Sequence, residues 1–301
     1  MTADIYPKNA HRISAMRSHI RRIFFRGSTK PPILSLAFLA VIIVTAIGSQ
    51  AISPYDPNAL NLANNFQPPF WDEAGSFHHP LGTDNLGRDI LSRIMAGTRV
   101  TVVVTFYAII FSGGIGALLG MVAGYFGGWT DTIIMRLVDI QLSIPALALA
   151  LVLAAVLGSG LSTVIIVIVV TYWSWYARII RGEILSIKGR DYIALAKVAG
   201  CGPVIIFWRH LLPNILNILL VLASLQIGQV IIFEASLSFL GLGIQMPDVS
   251  WGLMLSDARG YMGNAWWAIT MPGIAIMLTC LSANIMGDWL RDIFDPKRNQ
   301  L

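Results

Sequence analysis

Long apolar stretches separated by clustered charges constrain this chain more than any other feature. Only 12% of its 301 residues are charged and 55% are apolar, whereas about a quarter of the residues in a soluble domain are charged. Stretches of ~20 residues with few charges have the length that spans a bilayer. The pattern predicts an all-α polytopic membrane protein. It excludes a disordered chain, a secreted disulfide scaffold and a nucleic-acid-binding protein.

Six apolar runs are long enough to be membrane spans. They cover residues 33–52, 100–125, 133–157, 161–176, 215–233 and 266–285. An even number of spans places both termini on the same side. Pro145 and Pro272 lie within the third and sixth runs, where proline is expected to kink a helix.

The basic residues determine the orientation of these spans. Only four of the 21 basic residues are predicted to lie on the extracytoplasmic side of the membrane, and they are Arg88, Arg93, Arg99 and Arg259. The others lie in the N-terminal segment, near the link after the second span, between spans four and five, and in the tail. Because basic residues concentrate on the cytoplasmic side, the predicted topology is N-in and C-in.

The first run is predicted to be a retained anchor and not a cleaved signal peptide, because its apolar core exceeds the about 7–15 residues of a signal sequence. The predicted organisation follows from the spans. It comprises a basic cytoplasmic N-terminus (1–32), the anchor (33–52), an extracytoplasmic segment (53–98), a five-helix core (99–288) with a cytoplasmic loop (178–213), and a cytoplasmic tail (289–301).

The cytoplasmic loop is predicted to form a helix, a tight turn and a second helix. Asp191 is expected to start the first helix and accept hydrogen bonds from its free N–H groups. Gly200 or Gly202 supplies the left-handed stop. Pro203 suits the first turn of the second helix, and Pro213 is expected to end it.

Two surfaces of this loop are candidates for an interaction site. Ala194 and Ala196 give the first helix a small-residue surface, and the second helix carries a large apolar cluster that includes Phe207 and Trp208. An exposed apolar cluster in the cytoplasm indicates a docking site for a protein. The alternative is that the second helix lies on the membrane surface.

The spacing of the small residues, Gly200 and Pro213 resembles the "EAA loop" of ABC-importer permeases. In that family a short helix of this loop docks into a groove on a cytoplasmic ATPase. Here Ala194 occupies the position of the family's Glu, Leu195 the first Ala position, and Ala196 retains the second Ala.

Nearly the whole chain resembles the C-type permease subunit of the dipeptide, oligopeptide and nickel ABC importers. Four segments carry this resemblance, in order. They are LGTDNLGRDILSR (81–93), AGYFGGWTDTIIMRLVDIQLSIP (123–145), EASLSFLGLGIQMPDVSWGLML (234–255) and NIMGDWLRDIFDPK (284–297). The resemblance implies a type I permease fold in the bacterial inner membrane. It also implies pairing with a homologous permease, two P-loop ATPases and an extracytoplasmic substrate-binding protein.

The resemblance favours dipeptides or oligopeptides as cargo, with nickel, glutathione or another small solute as alternatives. A stand-alone ion-coupled transporter or channel is the second alternative. The sequence contains no P-loop, HExxH or GxSxG motif, so no catalytic residue is predicted. ATP and Mg²⁺ are expected on the partner subunits, with no cofactor bound by this chain.

Asp139 and Glu234 are the ionisable residues predicted to lie closest to membrane depth, where such groups are candidates for a transport pathway. The structural alternatives are an ion pair between Asp139 and Arg136 at i, i+3 and a Glu234 satisfied at the interface. The adjacent histidines at 78 and 79 are predicted to be solvated and not metal-bound. The tryptophans at 251, 266 and 267 are predicted to form an aromatic belt.

Overall fold

The computed structural model describes residues 31–294, and within that range the regular structure is helical apart from one isolated β-bridge. Ten α-helices follow one another along the chain. They are α1 (Ile33–Ile52), α2 (Ile90–Phe126), α3 (Gly128–Ser143), α4 (Ala146–Leu157), α5 (Leu161–Lys188), α6 (Asp191–Val198), α7 (Pro203–Ile206), α8 (Leu212–Phe239), α9 (Trp251–Ala258) and α10 (Trp266–Phe294). The N-terminal basic segment up to residue 30 and the tail from residue 295 lie outside the described residues.

Five helical stretches have the length and composition to cross a membrane, and α7 and α8 together form one of them. Helices α3 and α4 make the sixth span, with a bend of 92° between them. The prediction of six spans is therefore confirmed, with the third span broken. The chain is a polytopic, all-α membrane protein, and the side on which its termini lie stays a prediction.

The break in the third span lies at Pro145, as the sequence predicts. Helix α3 ends at Ser143, and Pro145 precedes the first residue of α4. Proline lacks an N–H group and its ring clashes with the preceding turn, so the helix cannot continue straight through it. Pro272, in contrast, lies inside α10, which continues to Phe294.

Helix α2 begins at Ile90, well before the start at Val100 that hydropathy predicts, so residues 90–98 are helical. Asp89 caps this helix by accepting a hydrogen bond from the Ser92 backbone N–H at 2.8 Å. At 1.5 Å per residue, a helix of 37 residues is roughly 55 Å long, which exceeds the ~30 Å of the hydrocarbon layer. Helix α2 is therefore too long to lie entirely within the hydrocarbon layer.

Two buried arginines join the first turns of α2 to the rest of the outer face. Arg88 and Arg93 are each 1% exposed, and both pair with Asp84 and Asp257. The N···O distances to Asp84 are 2.6 and 3.1 Å, and those to Asp257 are 3.0 and 3.2 Å. The two arginines thus connect the outer segment, α2 and α9 through paired charges, the arrangement that makes buried charge tolerable.

Three residues that the sequence predicts to face water or the membrane interface are instead buried in this outer layer. His79 is buried and bonds Asp89 at 3.0 Å, so its predicted solvation is wrong. Trp251 and Trp267 are also buried, and their indole N–H groups donate to backbone carbonyls at 3.0 and 3.1 Å. The aromatic-belt prediction is therefore wrong for both, because each indole packs inside the protein and not at the lipid headgroups.

The core of the bundle is the contact between α2 and α5. Gly116, Gly120 and Gly124 lie one turn apart on α2 and face the α5 backbone. A Cβ at Gly120 would lie 2.6 Å from the Ala177 carbonyl oxygen, and one at Gly124 would lie 2.8 Å from the Ile184 Cβ. Small residues of this kind let membrane helices approach closely, because association in lipid relies on van der Waals packing.

This packing predicts opposite results for two glycine substitutions in α2. Gly120→Ala forces the two backbones apart and should destabilise the protein by about 1–3 kcal/mol. Gly114→Ala is the matched control, since no atom lies within 4 Å of its added methyl group and alanine favours a helix. Thermal unfolding in detergent, followed by tryptophan fluorescence, should show a lower midpoint for Gly120→Ala only. Equal midpoints for the two variants would contradict the packing.

Candidate functional site

The cytoplasmic loop between α5 and α8 folds as a helix, a turn and a second helix, as predicted. Helix α6 begins at Asp191, which follows the N-cap residue Arg190. The Asp191 carboxylate makes no hydrogen bond to the helix N–H groups, so the predicted side-chain cap is absent within residues 31–294. Its charge still lies in the first turn, where the helix dipole stabilises an anion.

Gly200 forms the left-handed stop of α6, with φ of +81°. Its N–H donates to the Lys197 carbonyl at 3.0 Å, and the next N–H, of Cys201, donates to the Ala196 carbonyl at 3.0 Å. These bonds satisfy the free carbonyls at the helix end. Gly202 has φ of −67° and precedes Pro203, which occupies the first turn of α7 as predicted.

Pro213 does not end the second helix, and that prediction is wrong. The chain continues from α7 through one π-helical turn, Phe207–Leu211, into α8. In this wider turn the Leu212 N–H donates to the Phe207 carbonyl. Pro213 then stands in the first turn of α8, where its missing N–H costs little. The Asn214 side chain donates to the His210 carbonyl at 2.5 Å.

The inner face of the loop packs against the cytoplasmic ends of the membrane helices. Ile193 of α6 and Ile206 of α7 are fully buried and belong to one apolar cluster. The cluster also contains residues of α2, α5, the π-helical turn and α8, namely Ala117, Met121, Ile180, Ile184, Ile187, Leu211 and Ile215. The loop is therefore a packed part of the bundle.

Tyr125, at the end of α2, is the point where the loop and two membrane helices meet. Lys188, at the end of α5, donates to the Tyr125 carbonyl at 2.6 Å. Lys197 of α6 places its Nζ 5.4 Å from the centre of the Tyr125 ring, within cation–π range. The Phe207 ring meets the same ring edge-on at 5.1 Å. Sequence reasoning missed Tyr125, because no pattern in the chain indicates which aromatic ring these cations approach.

The outer face of the loop is apolar and exposed, and we call it the docking face. It consists of Ala194, Leu195, Val198, Val204 and Ile205. Val198 is 87% exposed and Val204 is 70% exposed. Three predicted residues are not part of it. Ala196 is buried, Phe207 is half-buried against Tyr125, and Trp208 lines an apolar cavity with residues of α2 and α8. The predicted apolar surface therefore exists with a smaller set of residues.

Asp139 forms an ion pair with Arg178 of α5, so the predicted pairing with Arg136 is wrong. The reason is that Arg178 approaches from the neighbouring helix, which the sequence spacing does not reveal. Asp131 similarly binds Arg181 through both carboxylate oxygens, at 2.5 and 2.6 Å. These two ion pairs connect α3 to α5. Asp139 is more than half exposed, where such a pair contributes little to stability.

Glu234 lies near the outer end of α8 and is 1% exposed. The Ser238 hydroxyl, one turn later, donates to its Oε1 at 2.8 Å and itself accepts the Ile244 N–H at 3.1 Å. Glu234 thus supports the chain that follows α8. Glu234 is near the end of α8 that is opposite to the docking face. The structure therefore does not bring Glu234 and the predicted loop residues together.

The fold is similar to a solved structure described as "Inward facing conformations of the MetNI methionine ABC transporter". The TM-score is 0.55 at 21% identity, over 68% of this chain and 96% of that chain. With its spans and its cytoplasmic helix–turn–helix loop, the chain has the fold of an ABC-importer permease.

Named relatives can be aligned with most of the chain. The dipeptide transport system permease protein DppC of Haemophilus influenzae is 40% identical over 92% of this chain and 94% of its own length. The nickel transport system permease protein NikC of Escherichia coli is 37% identical over 91% and 96%. The glutathione transport system permease protein GsiD of Pectobacterium atrosepticum is 40% identical over 86% and 85%.

Residues 116–300 match the family of binding-protein-dependent transport system inner membrane components. The chain belongs to this family and is an inner-membrane permease subunit of an ABC importer.

The turn at Gly200 generates a test of the loop's local stability. Gly200→Ala places a methyl-bearing residue in the left-handed region, which costs roughly 1–2 kcal/mol. Gly202→Ala is the matched control, since both sites are open but only Gly200 has positive φ. Hydrogen exchange of the α6 amides should become about fivefold faster or more in Gly200→Ala. Equal exchange in the two variants would show that the turn does not hold α6.

Proposed function

We propose that this chain and a homologous permease form the translocation pathway of an ATP-driven importer of dipeptides or oligopeptides. Two P-loop ATPases bind the cytoplasmic side, and an extracytoplasmic binding protein delivers the cargo. The docking face carries this proposal, because it is an exposed apolar surface on a cytoplasmic loop that is packed into the bundle. Contiguous exposed apolar surface of this kind indicates an interaction site.

The mechanical role of the loop rests on the contacts behind the docking face. Tyr125 joins the end of α2 to Lys188 of α5, to Lys197 of α6 and to Phe207. A closely packed interior transmits displacement because it has little free volume to absorb it. Movement of α6 with an ATPase subunit therefore moves the cytoplasmic ends of α2 and α5, which switches the pathway between its inward- and outward-facing forms.

The chemistry of ATP belongs to the partners in this proposal. The ATPases hold ATP and Mg²⁺ and hydrolyse the nucleotide, and this chain binds no cofactor. Asp139 and Glu234, the two candidate pathway charges, have structural roles in this proposal. Asp139 pairs with Arg178, and Glu234 Oε1 accepts the Ser238 hydroxyl. In the alternative, a stand-alone ion-coupled transporter, these intramembrane charges would mark the ion pathway.

The docking face predicts a specific loss of ATPase binding. Val198→Asp puts a carboxylate into an apolar contact and should weaken binding by ~2 kcal/mol or more, about 30-fold. Trp129→Asp is the matched control, since Trp129 is an 83% exposed apolar residue of α3 that lies outside the docking face. Co-purification of the ATPases in mild detergent should fail for Val198→Asp only, with normal membrane insertion of both variants. ATPase binding and cargo uptake that are unchanged in Val198→Asp would contradict the proposal.

The cargo is tested by uptake in proteoliposomes that contain the complete importer and its binding protein. Labelled dialanine should accumulate in an ATP-dependent manner, whereas nickel and glutathione should not. Relatives named for dipeptide, nickel and glutathione transport are all 37–40% identical to this chain, so overall identity does not separate these cargoes. ATP-dependent uptake of nickel or glutathione without dialanine would overturn the peptide assignment but leave the importer role intact.

A further inference from the structure

A cavity of about 780 Å³ opens on the outer side of the chain and is not used by the proposed coupling mechanism. Its walls are the end of α1, residues 53–58, the outer third of α2, the start of α5 and residues 247–249. In the N-in topology all of these segments lie at the extracytoplasmic surface. The volume is within the range of ~300–1,000 Å³ that holds small molecules.

Charged side chains of both signs line this cavity. Arg99 contributes a guanidinium, and Asp56 and Asp248 contribute carboxylates. All three are exposed, and none of them forms an ion pair within the described part of the chain. Arg99 contrasts with Arg88 and Arg93 in this respect, since both of those are buried between carboxylates.

The unpaired state of Arg99 is informative because of its position. It lies in the outer third of α2 and lines the cavity, opposite Asp56 and Asp248 of the two outer segments. A guanidinium there binds a carboxylate or phosphate through two parallel hydrogen bonds.

Hydrogen bonds connect the segments that line the cavity. The Asn58 amide donates to the Pro247 carbonyl at 2.8 Å, and the Tyr55 N–H donates to the Ser92 hydroxyl at 3.1 Å.

We propose that this cavity binds a small zwitterion, with its anionic group on Arg99 and its primary ammonium on Asp56 and Asp248. Two molecules share this chemistry. One is a peptide with free termini, which rests on the proposed function, and the other is a phospholipid headgroup that carries ethanolamine. Both present an acidic group and N–H donors at opposite ends.

Occupancy is measured by the reactivity of a cysteine in the cavity. Val103 lines the cavity one turn after Arg99 and is half-buried, so Val103→Cys reports on the space beside the guanidinium. The assembled importer, with Cys201→Ser to remove a second reactive thiol, is reconstituted without ATP in phosphatidylcholine liposomes. A membrane-impermeant thiol reagent is then applied. Dialanine at ten times its dissociation constant should slow labelling about tenfold.

The lipid source is tested in liposomes that contain phosphatidylethanolamine, without peptide. Slow labelling in these liposomes identifies the headgroup as the ligand, whereas slow labelling only with dialanine identifies the peptide. Dialanine that is acetylated at its N-terminus or amidated at its C-terminus should not protect, because it lacks one of the two charges. Equal protection by these blocked peptides would overturn the zwitterion assignment.

The assignment of Arg99 is tested with matched arginine variants. Arg99→Gln should abolish protection and Arg99→Lys should retain part of it. Arg259→Gln, a change at an exposed outer arginine that does not line the cavity, should leave protection unchanged. If Arg99→Gln fails to assemble, Asp248→Asn provides the same test for the ammonium end. Labelling that is insensitive to dialanine, to ethanolamine lipid and to these variants would overturn the site.

This experiment does not depend on transport, so its failure is distinguishable from failure of the proposed function. An importer that takes up dialanine but shows no protection of Val103→Cys would refute the cavity site alone. Protection by ethanolamine lipid in a complex that does not import dialanine would support the site and refute the peptide cargo.

Discussion

The close approach of α2 and α5 is the contact on which the rest of the molecule depends. Lipid tails are as apolar as leucine side chains, so membrane helices associate through fit and not through water exclusion. Gly116, Gly120 and Gly124 provide that fit, and they bring the ends of both helices together at the cytoplasmic surface. Tyr125 and Lys188 meet there and form the support for α6. In the proposed mechanism, the connection between an ATPase and the membrane helices depends on the close packing that these three glycines allow.

Hydropathy and turn chemistry were sufficient to predict much of the fold. The spans, the break at Pro145 and the stop at Gly200 all follow from local physical rules: bilayer thickness, the missing N–H of proline and the backbone freedom of glycine. Each of these signals resides in a few consecutive residues. For that reason, a single sequence was enough to find them.

Several of the wrong predictions have the opposite character, because they concern partners distant in the chain. The sequence placed Arg88 and Arg93 on the outer face but did not indicate that both pair with Asp257, more than 160 residues later. Asp139 pairs with Arg178 and not with Arg136, its neighbour on the helix. The Pro213 prediction is wrong for a local reason, since the chain passes through the π-helical turn Phe207–Leu211 directly into α8, with Pro213 in its first turn. In the candidate site, the loop was predictable but its attachment to Tyr125 was not.

Photocross-linking from the docking face tests the central claim most directly. A photoreactive residue at Val198, which points away from the bundle and is 87% exposed, is introduced into the full chain in intact cells. The account predicts a cross-link to a P-loop ATPase subunit, identified by mass spectrometry, and none from the same residue at Trp129. Cross-links from position 198 to lipid alone, in cells that still import cargo, would show that the loop lies on the membrane and does not bind the ATPase.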